Sequence, residues 1–119
     1  MAIFIDPVAV EPRNGYRIWV RYEDGVEGEL DLSHLAGEGV FKAWDDRAFF
    51  EGVHINEEGG CVSWGCPPGS DMELDVAPDT GYARLLGITR ERISAMSDED
   101  EFFAAVEQAQ RARKLAVNA

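Results

Sequence analysis

The sequence has little positive charge and no long apolar run. Its 119 residues include 11 Lys and Arg against 23 Asp and Glu, a formal charge of −12. The long-range field of such a surface repels phosphate, so the composition disfavours nucleic-acid binding and favours solubility or a basic partner. The longest stretch without Asp, Glu, Lys or Arg is residues 59–70, whereas a membrane helix needs about 20 apolar residues, so no membrane association is expected. No basic region precedes an apolar run at the N-terminus, and we therefore expect a cytoplasmic protein.

Residues with catalytic or metal-binding spacing are also lacking. Cys61, Cys66 and His54 would offer only three zinc ligands at an unfamiliar spacing, and we expect both thiols to be reduced. The acids of residues 71–79 fit no calcium-binding loop, although a divalent ion held by them stays an open alternative. Phosphate-binding glycine loops, the nucleophile elbow and the H-E-x-x-H motif are absent. We therefore predict a non-catalytic protein with no metal site and no cofactor.

Two-residue alternation of apolar and polar residues predicts a regular hairpin near the N-terminus. Residues 16–22 and 26–32 alternate in this way, and Asp24-Gly25 between them is typical of a type I′ turn. Arg17 and Arg21 are then expected to lie across from acids of the return strand.

Three further extended segments are expected. A strand over residues 3–10 should bend at Pro7, since a residue without an N–H fits an edge strand or a bulge. A second hairpin is predicted from Val53–Asn56 and Cys61–Trp64. Residues 72–76 resume the alternation after a loop.

The last third of the chain has helical spacing. We expect Asp79 to cap a helix that Gly87 ends, Thr89 to cap a second helix, and Ser97 to start the last one. The apolar stripe of the last helix is thin and must bury against the sheet or against a second chain, which makes a homodimer a further expected assembly. The stripe consists of Phe102, Phe103, Val106, Ala109 and Ala116.

The segment Ala83–Ser94 is similar to a helix-turn-helix. Gly87 would permit the tight turn between the two helices, and Thr89 would cap the recognition helix. Arg90 and Arg92 would then lie where base or phosphate contacts are made. The overall charge argues against this function, so we favour packing of the two short helices on the core and keep DNA binding as the alternative.

Five short motifs occur in a fixed order along the first two thirds of the chain. They are Tyr22-Glu23-Asp24-Gly25, Gly28-Glu29-Leu30-Asp31-Leu32-Ser33, Gly39-Val40-Phe41, Gly60-Cys61-Val62-Ser63-Trp64 and Glu73-Leu74-Asp75-Val76-Ala77-Pro78-Asp79, with Phe49, Val53 and Tyr82 outside them. In this order they resemble the bacterial family called domain of unknown function 2442, over about residues 7 to 84. The loop 65–71 is longer than usual for the family, and Gly81 replaces an apolar residue.

The resemblance implies a small α+β domain with an antiparallel sheet and no established enzymatic activity. It also implies a gene beside a second small family, domain of unknown function 4160, in an arrangement similar to toxin–antitoxin pairs. We accordingly expect an α+β fold with a small antiparallel sheet built from hairpins, short helices and a C-terminal helix. Residues 1–86 would form the sheet domain, and residues 87–119 a helical extension that is not an independent domain.

The expected function is that of a non-catalytic protein-interaction module, antitoxin-like, that binds a small basic protein. The partner would meet the acidic sheet face and the loop around Trp64. Motif positions carried over from the family make Trp64, Asp75, Asp79 and Tyr82 the expected partner-binding residues, since amphipathic aromatics are enriched in interface hot spots.

Overall fold

The fold combines two small sheets with short helices and one long helix. The structure, a computed structural model, describes residues 5–57 and 60–118, and side chains as far as residue 114. Within these ranges the strands are β1 (Pro7–Pro12), β2 (Arg17–Tyr22), β3 (Glu27–Asp31), β4 (His54–Asn56), β5 (Cys61–Ser63) and β6 (Asp75–Val76). The helices are a 3-10 helix (Gly39–Asp45), α1 (Arg47–Glu51), α2 (Pro78–Leu85), α3 (Arg90–Ser94) and α4 (Glu99–Asn118). The predicted α+β class is confirmed.

The first sheet has the antiparallel order β1-β2-β3 and contains the predicted hairpin. Arg17 pairs with Asp31 in the register and Arg21 with Glu27, so the expected arginine–acid pairs are present. The Arg21 Nε atom lies 2.6 Å from a Glu27 carboxylate oxygen. These pairs occupy the exposed face of β2, because Ile18 and its alternating neighbours on the same strand are buried on the other face.

The turn of this hairpin differs from the type I′ turn that the sequence predicts. Tyr22 N–H donates to Val26 O at 2.8 Å, and Gly25 N–H donates to Tyr22 O at 3.0 Å, which leaves a three-residue loop. Among the described residues only glycines have a positive φ, and Gly25 has φ 91°. A type I′ turn needs two positive values, so the prediction was wrong in turn type. Asp24 instead accepts the Val26 N–H through its side chain at 3.1 Å.

Strand β1 begins at Pro7, whereas the sequence predicts a strand from residue 3 that bends there. Ile3 lies outside the described residues, and Ile5 is not part of a strand. The pairing register with β2 shifts between Pro7 and Ala9, and β1 is an edge strand. The expectation that Pro7 lies at an edge or a bulge is confirmed, since a residue without an N–H cannot complete the ladder.

The second hairpin forms a separate sheet in the order β4-β5-β6, so the hairpins build two sheets where the sequence predicts one. Its predicted strands are confirmed in slightly shorter form. Of the extended segment 72–76, only Asp75–Val76 forms a strand. Just before it, Trp64 N–H donates to Leu74 O at 2.9 Å and Leu74 N–H to Gly65 O at 2.8 Å. These irregular hydrogen bonds replace the ladder that the alternation predicts.

An aromatic cluster fills the core beside the second sheet. The 3-10 helix contributes Trp44 and α1 contributes Phe50, whose ring centroids lie 5.3 Å apart, and Trp64 lies 4.9 Å from Trp44. Asp46 caps α1 by accepting the Ala48 N–H at 3.1 Å. Helix α1 is absent from the sequence-based predictions, since five residues are too few for a helical period to emerge.

Helix α2 begins one residue before the predicted cap. Pro78 is its first residue and Ala77 its N-cap, with no side-chain cap hydrogen bond, so Asp79 lies inside the first turn. Proline is favoured at the first helical position, and a carboxylate in the first turn suits the helix dipole. At the other end Gly87 has φ 100°, and Ile88 N–H donates back to Ala83 O at 3.1 Å. The predicted termination at Gly87 is confirmed.

The last two helices start at side-chain caps. Thr89 Oγ1 accepts the Arg92 N–H at 3.1 Å, as predicted for α3. Helix α4 begins at Glu99, two residues after the predicted start at Ser97. Its side-chain cap is Asp98, which accepts the Glu101 N–H at 2.9 Å.

Helix α4 packs through its apolar stripe on the same core as the sheets. Val106 is fully buried there, and Phe102 and Ala109 pack against the core while half-buried. The Ala116 side chain lies outside the described side chains.

A bilayer-spanning helix is not found within the described ranges.

Gly81→Ala should destabilise the protein, although alanine normally stabilises a helix relative to glycine. The added Cβ would lie 2.9 Å from Leu30 Cδ1 and 3.0 Å from the Tyr22 hydroxyl. Overpacking of this kind costs about 1–3 kcal/mol, measurable by denaturant unfolding. Ser94→Ala at the exposed end of α3 is the control and should change stability by less than about 0.5 kcal/mol. An unchanged or raised midpoint for Gly81→Ala would contradict the close packing.

Candidate protein-interaction surface

Trp64, one of the expected partner-binding residues, lies in the core. Its side chain is 4% exposed, and its indole N–H donates to Phe50 O at 2.8 Å. This hydrogen bond ties β5 to α1 and satisfies the buried polar atom of the ring. The ring is therefore part of the core and offers almost no exposed area to a partner.

Tyr82 is buried as well, in a pair with Tyr22. Its side chain is 1% exposed, and the two ring centroids lie 5.0 Å apart in an edge-to-face arrangement. The Tyr82 hydroxyl donates to Asp24 at 2.5 Å and accepts from Gln110 at 2.9 Å. The Tyr22 hydroxyl donates to Pro78 O at 2.6 Å. The pair therefore joins the first hairpin, the start of α2 and the side of α4.

A second polar cluster holds the segment before β6. Ser63 is fully buried, and its hydroxyl donates to Glu73 at 2.5 Å. The Asn56 side-chain amide lies 2.9 and 2.7 Å from the two oxygens of the same carboxylate. Glu73 is therefore engaged in holding the loop onto the second sheet. Within the described ranges no group of three or more His, Cys, Asp or Glu side chains is arranged to hold a metal ion.

The largely apolar central cavity, of about 310 Å³, lies between the end of the first sheet and the start of α2. Its deep walls are buried core side chains from both sheets, which include Ile18, Leu30 and Val62. Less buried side chains line the rest: His34, Leu35, Phe41, Asp75, Val76, Ala77, Pro78, Thr80 and Arg84. The volume is at the lower end of those that proteins use to bind small ligands or single side chains.

Two further cavities adjoin the central one. The β-side cavity, of about 180 Å³, shares Phe41 and Asp75 with it and adds Val40 and Met72. The helix-side cavity, of about 510 Å³, shares Thr80 with it. The helix-side cavity is otherwise lined by Asp79, Ile93, Met96, Ser97, Asp98, Glu99, Phe102 and Phe103. Because neighbouring cavities share lining residues, we treat the three together as one interaction groove.

The groove places the two expected acidic contacts on either side of the α2 start. Asp75 is exposed between the β-side and central cavities, and Asp79 is half-exposed at the helix-side cavity. Asp98 and Glu99 extend the acidic rim along the start of α4. Apolar walls with a carboxylate rim can hold an apolar side chain while attracting a neighbouring Lys or Arg.

Arg90 and Arg92, the expected nucleic-acid contacts, are exposed on α3. Arg90 lies 3.9 Å from Glu91. The helix has five residues, and Asp98 follows it within six positions of Arg92. The turn and the cap of a helix-turn-helix are thus formed, but the second helix is little longer than one turn.

Several groove residues are absent from the sequence predictions. Val40 and Met72 are 66% and 78% exposed, which is unusual for large apolar side chains that adjoin a cavity. Phe41 lines two of the cavities, and the Arg84 guanidinium and the His34 imidazole line the central one. In the sequence, the feature that could have indicated the groove is an apolar residue at an exposed position of a motif, as in Gly39-Val40-Phe41.

Comparison with known proteins shows the family. The family model described as Protein of unknown function (DUF2442) matches residues 7–85, and the chain belongs to this family. The matched region ends at the last residue of α2, so it includes both sheets and excludes α3 and α4. Neither a search of the curated proteins nor a search of the solved structures finds a match. The family assignment carries no activity.

Burial and hydrogen bonding raise the pKa of Tyr82 to about 12, with burial as the larger cause and the Asp24 carboxylate as the next. Burial raises the pKa of Tyr22 too. A tyrosine in the unfolded chain ionises near pH 10, so the stabilisation from neutral Tyr82 is complete below pH 10 and is lost as the pH rises from 10 to 12.

Tyr82→Phe should therefore lower stability by about 1 kcal/mol at neutral pH and weaken its decline between pH 10 and 12. Denaturant unfolding across this range is the measurement. Tyr16→Phe removes a hydroxyl outside the pair and is the control for the loss of a tyrosine hydroxyl. An identical decline in Tyr82→Phe would show that this hydroxyl does not govern it.

Proposed function

We propose that this chain is a non-catalytic interaction module that binds a small basic protein, in the manner of an antitoxin that neutralises its partner. The observation that carries the proposal is the interaction groove, which combines two largely apolar cavities and a more polar one with an acidic rim on a chain of charge −12. The residues expected to contact the partner are Asp75 and Asp79. Trp64 and Tyr82 act behind the surface by holding its walls in place.

Charge complementarity supports a basic partner. Asp75 and Asp79 form no ion pair with the described residues, so both carboxylates are available to a cation. Exposed carboxylates of this kind chiefly accelerate association and select against acidic partners. The rest of the acidic surface adds a long-range attraction that falls with salt.

Exposed apolar side chains support a protein partner in particular. Met72 and Val40 border the same cavity, and Phe41 continues the apolar surface into the central cavity. An apolar patch beside cavities and rimmed by charge is typical of an interaction site. Burial of Met72 and Val40 would give a partner the desolvated centre that ionic contacts alone do not supply.

The test starts with the tagged chain as bait in a lysate of its own cells at low salt, with and without nuclease. The captured protein is then purified and its affinity measured against variants. Asp75→Asn combined with Asp79→Asn should weaken binding about threefold to tenfold at low salt. Met72→Ser should weaken it at every salt concentration, because an apolar contact is not screened.

The matched control is Glu11→Gln combined with Glu23→Gln. It changes the net charge by the same amount but lies on β1 and on the hairpin loop, which do not line the groove. Equal weakening by both pairs of substitutions would show that binding depends on the overall charge, and it would contradict the groove as the binding site. Salt-independent binding to a partner that is not basic, or no stoichiometric partner, would overturn the proposed function.

DNA binding by residues 83–94 is the second candidate function. It is favoured by the turn at Gly87 and the Thr89 cap, which place Arg90 and Arg92 in the first turn of α3. Helix-turn-helix proteins present the start of their second helix to DNA in this way. The acidic groove beside α3 opposes it, because Asp98 and Glu99 would approach phosphate.

Arg90→Glu combined with Arg92→Glu should abolish retardation of the chain's own promoter DNA, if the natural chain retards it at low salt. Arg111→Glu combined with Lys114→Glu, on the exposed end of α4, changes the charge equally and should retain binding. No retardation by the natural chain would exclude this function, and equal loss in both pairs would show unspecific attraction.

A further inference from the structure

Arg84 is an unusual residue in this acidic chain. It is half-buried in the last turn of α2 and lines the central cavity. One of its terminal nitrogens donates to Asp31 O at 3.0 Å. Among the described residues no carboxylate lies within ion-pair distance of it, whereas five other arginines have such a partner: Arg13, Arg17, Arg21, Arg47 and Arg90.

His34 accompanies Arg84 along the same cavity. Burial lowers the pKa of His34, and the nearby Arg90 and Arg84 lower it further, while Asp31 acts in the opposite direction. The imidazole is therefore neutral near pH 7, and its single N–H is hydrogen-bonded to the Asp31 backbone. The ligand donor at this end of the cavity is therefore Arg84, whose planar guanidinium beside an apolar space is suited to a carboxylate.

We propose that the central cavity binds a small apolar monocarboxylate, with its apolar body against Leu35 and Phe41 and its carboxylate on Arg84. The ligand is either a free acid or the C-terminal residue of a protein chain, since both present the same chemistry. This site goes beyond the proposed function, because it requires no basic partner.

Two acids, Asp75 and Asp31, lie near the cavity. Asp75 precedes α2, and the helix rises by about 9 Å between Pro78 and Arg84, so the length of α2 separates these two charges. The Asp31 carboxylate accepts the Ser33 N–H at 2.9 Å and lies beyond ion-pair distance of Arg84. Hydrogen bonding to Ser33 is the largest cause of the lowered pKa of Asp31, and the nearby charges of Arg17 and Arg84 lower it further. A bound carboxylate would supply the ion pair that the guanidinium otherwise lacks.

The experiment is an NMR titration of the full chain with three probes that share one apolar body. Isocaproate carries a carboxylate, isocaproamide is neutral and isoamylamine is a cation. We expect isocaproate to bind most tightly and to shift the signals of Arg84, His34 and the cavity walls. Arg84→Gln should weaken isocaproate binding about tenfold or more, since hydrogen bonds to charged groups contribute the corresponding free energy. Arg92→Gln, on the exposed face of α3, is the control and should bind as the natural chain does.

Equal affinity for isocaproate and isocaproamide, tightest binding of isoamylamine, or an unchanged affinity in Arg84→Gln would overturn the proposal. If Arg84→Gln fails to fold, Arg84→Lys keeps the charge without the planar fork and should bind isocaproate more weakly than the natural chain. Equal affinity in Arg84→Lys would then overturn it.

A second pair of probes distinguishes the two sources of the ligand. The peptide Gly-Gly-Leu is titrated with a free C-terminus and with an amidated one. Tighter binding of the free peptide than of isocaproate assigns the site to a chain terminus, and weaker binding assigns it to a free acid. Neither the peptides nor the small acids involve the basic partner, so the failure of this site and the failure of the proposed function give separate results.

Discussion

The packing of Tyr22 against Tyr82 holds the first hairpin, α2 and α4 together. One ring belongs to the first hairpin and the other to α2, and their hydroxyls reach Pro78, Asp24 and Gln110. Through these bonds the pair fixes the start of α2, the hairpin turn and the side of α4 relative to one another. Burying two phenols is favourable only because both hydroxyls are hydrogen-bonded, so the three elements must dock together.

The interaction groove follows from that docking. With α2 held at one end of the first sheet, core side chains line the space between them, and Phe41 of the 3-10 helix lines it as well. Asp75 of β6 and Asp79 in the first turn of α2 then lie on its rim, and the half-buried Arg84 in the last turn of α2 lines the central cavity. The groove thus has an acidic side suited to a basic protein and a cationic corner suited to a carboxylate.

Local signals predicted much of the secondary structure, because they depend on neighbours in the chain. Gly87 ends α2 and Thr89 caps α3 as their residue types indicate, and both hairpins form. The candidate site was predicted in part: Asp75 and Asp79 border the groove, while Trp64 and Tyr82 are buried. An amphipathic aromatic can serve a core or an interface equally well, and its burial depends on distant partners such as Phe50 O, which no local pattern reveals.

Composition and short motifs were sufficient to predict the family, the α+β class, the excess of acids and the positions where helices end and hairpins turn, since each is a property of composition or of a few adjacent residues. Long-range packing is what divides the hairpins between two sheets, buries the aromatic motif residues, and places Phe41, Met72 and Arg84 along neighbouring cavities. These outcomes come from contacts between segments that are distant in the sequence, as in the 56-residue separation of Tyr22 and Pro78. The shape and the hydrogen-bonding requirements of the whole core select such contacts. Patterns among neighbouring residues in the sequence do not reveal them.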